Sequence, residues 1–302
     1  MGEDIPYNRE APPPGILEEL SPGVRRILAP NGGAFTFTGT CSYIVGRGKV
    51  AIIDPGPDDP GHAAALLAAV HGEEVVAIAV THTHRDHSPG VSALVSATGA
   101  PTYGAGPHRS ARPLHDGEIN LLDAAGDLAF QPDIVLAEGD RFGPPDWPLT
   151  ALATPGHCAN HLAFSLEADK VLLSGDHVMA WSTSIVAPPD GSMGDYMASL
   201  EKLLGRPEAR YFPGHGGPVE QPQRFVRAMI QHRRMREASI LQALGEGPAS
   251  ITPLTARVYA GLPAGLQGAA ALNLFAHLED LVQRGKVATE GAPSMAGRYW
   301  LA

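Results

Sequence analysis

The segment Thr81-His82-Thr83-His84-Arg85-Asp86-His87-Ser88-Pro89-Gly90 follows directly on an apolar, β-prone stretch, Glu74 to Val80. His82, His84, Asp86 and His87 put four metal-binding types of side chain within six residues. In an extended or turning segment, alternate side chains share a side. His82 and His84 can therefore grip one cation while Asp86 and His87 turn toward a second. Imidazole and carboxylate together suit Zn²⁺, Fe²⁺ or Mn²⁺. The bland alternative is a polar loop with histidines by coincidence, and the rest of the chain weighs against it.

Three further segments repeat the design. Thr154-Pro155-Gly156-His157 follows the strand candidate Leu149 to Ala153, Ser174-Gly175-Asp176-His177 follows Val171 to Leu173, and Pro213-Gly214-His215-Gly216 follows Ala209 to Phe212. Each sets a donor on a Gly-containing turn just past a strand. Residues from several strand ends can converge on one edge of a sheet, where loops build sites.

Between these segments, strand-like and helical stretches alternate. Val50 to Ile53 reads as a buried strand stopped by Asp54-Pro55-Gly56-Pro57, and Ala63 to Val70 as a helix. Such alternation predicts a layered α/β domain. A chain of 302 residues accommodates one large domain, or one plus a small companion. The charge is uneven in the same sense: residues 1–220 hold 13 basic and 27 acidic side chains, whereas 221–302 hold nine and five. We therefore expect a boundary near Pro218–Pro222, with a first domain over 1–220 (an arm at about 1–20 included) and a second over 221–302. The acidic first part should repel polyanions unless metals or the second part offset it.

Two cysteines, Cys41 and Cys158, can form neither a disulfide framework nor a Cys-only metal site. The start, Met1-Gly2-Glu3-Asp4-Ile5-Pro6, has the features of neither a signal nor a transit peptide. No apolar run approaches the ~20 residues that cross a bilayer. The expectation is a cytoplasmic protein with no membrane partner.

The last part reads as helical until its end. Gln223 to Leu244 and Gly265 to Arg284 have helical apolar spacing, and Ser250-Ile251-Thr252-Pro253 looks like a helix start. Two β-like pieces follow, Lys286 to Thr289 and Arg298 to Leu301. Three helices and a hairpin make a winged-helix pattern.

His82-x-His84-x-Asp86-His87, then His157, Asp176 and His215, resembles the metallo-β-lactamase-fold hydrolases, over roughly residues 20–220. Asp54 in its Asp-Pro-Gly turn fits as well. The resemblance implies an αββα sandwich with two divalent ions at one edge, zinc first among Zn²⁺, Mn²⁺ and Fe²⁺. It implies that His82, His84 and His157 bind one ion, that Asp86, His87 and His215 bind the other, and that Asp176 bridges them. Such a pair can share a hydroxide that attacks a carbonyl or phosphorus, with Asp86 orienting it or taking its proton as the catalytic group. Two ions, two carboxylates and one hydroxide leave about +1 at the centre, which welcomes an anionic or polarised substrate.

The tail narrows the resemblance. Asn273 to Leu281, Gly285-Lys286-Val287 and Asp195 to Leu200 are similar to the β-lactamase-like protein 2 branch, one of whose members is an endoribonuclease for single-stranded RNA. The activity implied is hydrolysis of an ester, thioester or phosphodiester, with single-stranded RNA cleavage as the specific alternative. A drug-degrading lactamase generally works outside the cytoplasm and fits less well. A persulfide dioxygenase would favour one iron with three ligands, and a flavin-linked oxidoreductase would need a flavodoxin-like domain. In the opposing class, a non-catalytic nucleic-acid-binding module uses the winged helix and the donors are vestigial. That is hard to sustain with all seven present.

Asp54 fits a turn and a group behind the ligands better than a ligand. His161 is expected either to orient a ligand or to face substrate. His177 and Cys158 read as structural. Arg224, Arg227 and Arg234 share a helical face that either holds phosphates or pairs with the acidic domain. Gly265 to Arg284 carries Glu279 and Asp280 and no Lys, which argues against duplex DNA. The substrate is thus a small molecule or a single-stranded nucleic acid. Ala180 to Gly194 is either a lip over the metals or a connecting loop, and the apolar Leu262 to Leu281 leaves room for a homodimer.

Overall fold

The computed structural model describes residues 5–302 apart from 11, 117 and 121–123. Met1 to Asp4 of the expected arm lie outside the described residues. The chain opens with four antiparallel neighbours, β1 (Leu17–Ser21), β2 (Val24–Leu28), β3 (Cys41–Arg47) and β4 (Lys49–Ile53). Helix α1 (Pro60–Ala69) then leads to β5 (Glu74–Ala79), α2 (Val91–Thr98) and the short β6 (Thr102–Gly104) and β7 (Ile134–Val135), all running parallel to β4. These seven strands form one sheet in sequence order. Parallel neighbours need crossovers, and both helices supply them. Asp59 starts α1, its side chain accepting the His62 N–H at 2.7 Å with Pro60 in the first turn.

A second sheet holds β8 (Arg141–Phe142), β9 (Leu149–Ala153), β10 (Leu162–Leu166) and β11 (Val171–Gly175). After α3 (Met193–Leu203) it adds β12 (Arg210–Pro213), parallel to β11. The two sheets face each other. Tyr43, Val45, Ala51 and Ile53 meet Phe164, Leu166, Leu173 and Phe212 in a buried layer. The alternate residues Ile44, Val50 and Ile52 turn outward against Leu66 of α1 and Leu94 of α2. This period of two is the direct result of strand geometry. The outer face of the second sheet, Leu172 and Tyr211, packs on Tyr196 and Leu200 of α3 and on Phe225 and Met229 of α4 (Pro222–Gly245). The order is helix, sheet, sheet, helix, the αββα sandwich anticipated above.

The remaining elements are β13 (Ala249–Ser250), α5 (Ile251–Val258), α6 (Gln267–Gln283), β14 (Val287–Thr289) and β15 (Arg298–Leu301). The three strands form a small sheet in the order β13-β15-β14, so the expected hairpin gains a third, two-residue strand. Ile240 and Leu244 at the end of α4 pack with Leu254, Leu274, Leu278 and Tyr299. Helix α4 therefore contributes to two cores, its first half to the sandwich and its second to the winged-helix lobe. The long helix begins at Gln267 rather than Gly265, because Ala264–Leu266 form a tighter 3₁₀ turn. Among the described residues no helix is long and apolar enough to cross a membrane.

Candidate metal centre

The turns after β5, β9, β11 and β12 all open on the same edge of the sandwich. Cross-links between the sheets fix that edge: the Cys41 N–H donates to the Gly214 carbonyl at 2.8 Å, and the Tyr43 hydroxyl donates to the Pro213 carbonyl at 2.6 Å. Gly214 is required there, because a Cβ would collide with Asp176 Oδ1 and the His87 ring.

All seven donors named from the sequence are brought together, in two adjoining groups. His82, His84 and His157 form one, and Asp86, His87, Asp176 and His215 the other; within each group the donor atoms lie within 4.8 Å of one another. In the first, His84 Nδ1 is 3.0 Å from both His82 Nε2 and His157 Nε2. In the second, His215 Nε2 is 3.1 Å from Asp86 Oδ2 and 3.4 Å from Asp176 Oδ2, and His87 Nε2 is 3.5 Å from both Asp86 Oδ2 and Asp176 Oδ1. Asp176 Oδ2 also lies 3.8 Å from His157 Nε2, so this carboxylate stands between the groups.

The far sides of the rings decide which nitrogen faces inward. His157 Nδ1 is tied to the Ile185 carbonyl at 2.6 Å, His215 Nδ1 to the Gly39 carbonyl at 3.1 Å and His87 Nδ1 to Asp54 Oδ2 at 3.0 Å. A proton at Nδ1 leaves the Nε2 lone pair free for a cation, the arrangement that orients ligating histidines. His87 Nε2, His215 Nε2 and Asp176 Oδ1 are buried with no hydrogen-bond partner. A buried polar atom in that state is costly unless a ligand completes it. The donor set, nitrogen and carboxylate oxygen only, fits divalent first-row ions.

The electrostatics divide along the same line. Burial, then the neighbouring histidines, pushes His82 well below its ordinary range and His84 down to about 3, so both rings stay neutral. Burial alone would raise the carboxyls, but His87 and His215 hold Asp86 and Asp176 well below the ordinary range. In return, against burial, Asp86, Asp176 and Asp54 raise His87, and Asp176 and Asp86 raise His215 to about 10. Two ionised carboxylates thus call for positive charge at the inward nitrogens, which a proton or a cation can supply.

Residues 35–215 match the metallo-beta-lactamase superfamily, and 250–300 match the beta-lactamase associated winged helix domain. The chain belongs to the metallo-beta-lactamase superfamily. It is 31% identical to the beta-lactamase-like protein 2 homolog of Drosophila melanogaster, over 90% of this chain and 91% of that one. It is also 31% identical to the atrochrysone carboxyl ACP thioesterase of Claviceps purpurea, over 76% of this chain and 67% of that one. A beta-lactamase domain protein from Burkholderia ambifaria has the same fold: TM-score 0.80 at 21% identity, covering 98% of this chain and 97% of that one. Members of the superfamily are generally hydrolases, and its fold binds divalent metals.

Within this metallo-beta-lactamase framework the supporting residues take definite places. Asp54 sits in a left-handed turn (φ 50°) and accepts from the Thr81 N–H at 2.7 Å, the Thr81 hydroxyl at 2.8 Å and the His87 ring. It lies behind the donors and fixes one of them. His161 faces inward too: Nε2 accepts the Asp176 N–H at 3.1 Å and Nδ1 meets the Thr154 hydroxyl at 2.8 Å. Its burial leaves no substrate-facing surface. His177 stacks beside Tyr196 with ring centroids 4.7 Å apart, and Cys158 is buried against Asn160.

Sequence reasoning missed His108 and Asp190. His108 Nδ1 meets the Thr83 hydroxyl at 2.9 Å and Nε2 lies 3.3 Å from Asp190 Oδ2, beside the His84 ring. The signal was there: Gly106-Pro107-His108 is another turn just past a strand, but β6 is only three residues long. Of residues 180–194, those before α3 form a connecting loop, and it is packed against the fold. Val186, Ala187 and Asp190 are buried, and the Val186 N–H donates to Asn273 of α6 at 3.0 Å. Of the arginines on the outer face of α4, Arg234 pairs with Glu201 of α3 at 3.0 Å.

Proposed function

We propose that the chain is a hydrolase that holds two divalent cations, zinc first, and cleaves a carbonyl ester or thioester. His82, His84 and His157 would hold one ion, Asp86, His87 and His215 the other, with Asp176 shared. The observation that carries this reading is the convergence of seven donors with three ring Nδ1 atoms tied away from them. Such ions, when bound, act as Lewis acids and generate a nucleophile from water at neutral pH. Asp54 holds the His87 ring and Ile185 the His157 ring, so neither donor has to reorganise as charge develops. Asp86 is the more open of the two carboxylates, with 27% of its side chain exposed against 8% for Asp176. It is therefore the group to take a proton from the attacking water and pass it to the leaving group.

The thioester preference is supported by the likeness to the Claviceps protein, which is named a thioesterase, and by the net charge of −10, which is unfavourable to polyanions. A second reading is cleavage of single-stranded RNA, favoured by the exposed Arg224 and Arg227 on α4. Elemental analysis together with turnover of S-lactoylglutathione, homoserine lactone, nitrocefin and single-stranded RNA tests both. About two ions per chain and a thioester preference are expected. Absence of bound metal after supplementation overturns the hydrolase, and RNA turnover alone overturns the thioester choice.

A further inference from the structure

A cavity of about 440 Å³ lies between the 179–185 segment and the winged-helix lobe, outside the donor cluster. Its size is that of a small-molecule site. One wall is Trp181 and Ile185, and the other is Tyr259, Leu262 and Ala269, with His232 and Arg236 of α4 between them. The lining is mainly apolar, and no carboxylate is among the described residues that form it.

Positive charge gathers behind this apolar surface without a counter-charge. Arg236 lies over the Tyr259 ring at 4.6 Å and donates to the Val258 carbonyl at 2.7 Å. Arg233, three residues earlier on α4, behind the lining and only 2% exposed, donates to Asn273 Oδ1 at 3.1 Å and to the Ser184 carbonyl. Neither guanidinium has a carboxylate partner among the described residues, and the Nε of each is buried with no hydrogen-bond partner. The same holds for two more groups of the cavity wall, Trp181 Nε1 and His232 Nδ1. Burial, then Arg233 and Arg236, pushes His232 down to about 4, so its ring is neutral. Buried charge is normally paired and buried donors normally satisfied, because either omission costs free energy. Arg236 without a counter-charge, beside Trp181 and His232 in one apolar cavity, describes a ligand with an apolar body and an anionic end.

Two residues of the cavity wall also support the candidate metal centre. Ile185 lines it, and the Ile185 carbonyl holds the His157 ring. Trp181 lies against Gly216, next to His215, and stacks on Phe37 with ring centroids 5.1 Å apart.

We infer that this cavity receives the acyl part of the substrate, and that the substrate class is an ester or thioester of an apolar acid that carries a second, anionic group. The inference rests on the hydrolase reading for its link to turnover, but binding in the cavity stands apart from it. The test is calorimetric titration of the full, metal-supplemented chain with 2-naphthoate and with its neutral counterpart, 2-naphthalenemethanol. The acid should bind at least tenfold more tightly than the alcohol. Arg236→Gln should weaken the acid at least tenfold with no change in metal content. Arg236→Lys should keep affinity within a few-fold, and Ala269→Phe, which fills the space, should abolish binding. Equal affinity for acid and alcohol, or full affinity in Arg236→Gln or Ala269→Phe, overturns the proposal. A wild-type protein that turns over S-lactoylglutathione but does not bind naphthoate loses the cavity and keeps the hydrolase. Naphthoate binding with no metal and no turnover leaves the cavity as a binding site, and removes its assignment as an acyl subsite.

Discussion

The donor cluster and the cavity beside it are built on opposite rules. Around the cluster nearly every outward-facing polar atom is tied: Asp54 takes three hydrogen bonds, and His161 bridges Asp176 and Thr154. Around the cavity, Arg236 has no carboxylate partner, and its Nε, the Trp181 Nε1 and the His232 Nδ1 are left without acceptors. The cluster is drawn from the strand ends of one rigid sandwich, the cavity from loops of the sandwich together with α4 and the second lobe. Chemistry that tolerates little displacement rests on the sheets, while the proposed substrate surface rests on loops and helices around them.

The sharpest way to break this contrast is to remove the group shared by both metal sites. Asp176→Ala is expected to cut bound metal to one ion or fewer per chain and reduce turnover to background, read by elemental analysis and steady-state assay. Full turnover in this variant would end the two-ion scheme. Asp54→Ala removes the partner of His87 and should cost about 10–100-fold in metal affinity or activity. If it matches Asp176→Ala instead, the supporting layer is as essential as the donors.

The two lobes can be separated by stability. Leu254 is fully buried in the winged-helix core, and Leu254→Ala should cost about 2–5 kcal/mol in urea titration. Metal content should stay unchanged in the folded protein; its loss would mean that the lobe helps to hold the donors. The smallest effect concerns His277 of α6, whose ring nitrogens are both buried and unpartnered. Burial, then Arg233 and His232, lowers it from 6.5 to about 3. The unfolded chain takes up this proton first, so the stabilisation of the neutral ring is intact above about pH 6.5 and declines as pH falls toward 3. His277→Phe should flatten that part of the melting-temperature profile, and an unaltered slope would place the acid sensitivity elsewhere.

Much of the donor edge was legible because its signal is local. A short apolar run, a turn with Gly or Pro and a His or Asp in the next position recur after β5, β9, β11 and β12. The N-terminal strands were not legible. Strand β2 reads Val24-Arg25-Arg26-Ile27-Leu28, and two adjacent arginines argue for a surface until their partners are known. Folding brings Glu73 within 2.7 Å of Arg25 and Glu18 within 2.5 Å of Arg26, which makes the strand fit to bury. Strands β7 and β8 have two residues each, too few for any periodicity. The cavity was invisible for a related reason: its walls come from four distant stretches of chain, and an arginine without a counter-ion is a property of space rather than of order along the sequence.

Helix α4 runs unbroken for 24 residues, about 36 Å, through both cores. Bending one lobe away from the other would mean snapping backbone hydrogen bonds in the middle of that rod. The gap beside Trp181 therefore cannot widen like a jaw. A guest sits between the 34–35 and 179–185 segments on one side and that girder on the other, and the girder sets an upper limit on guest size.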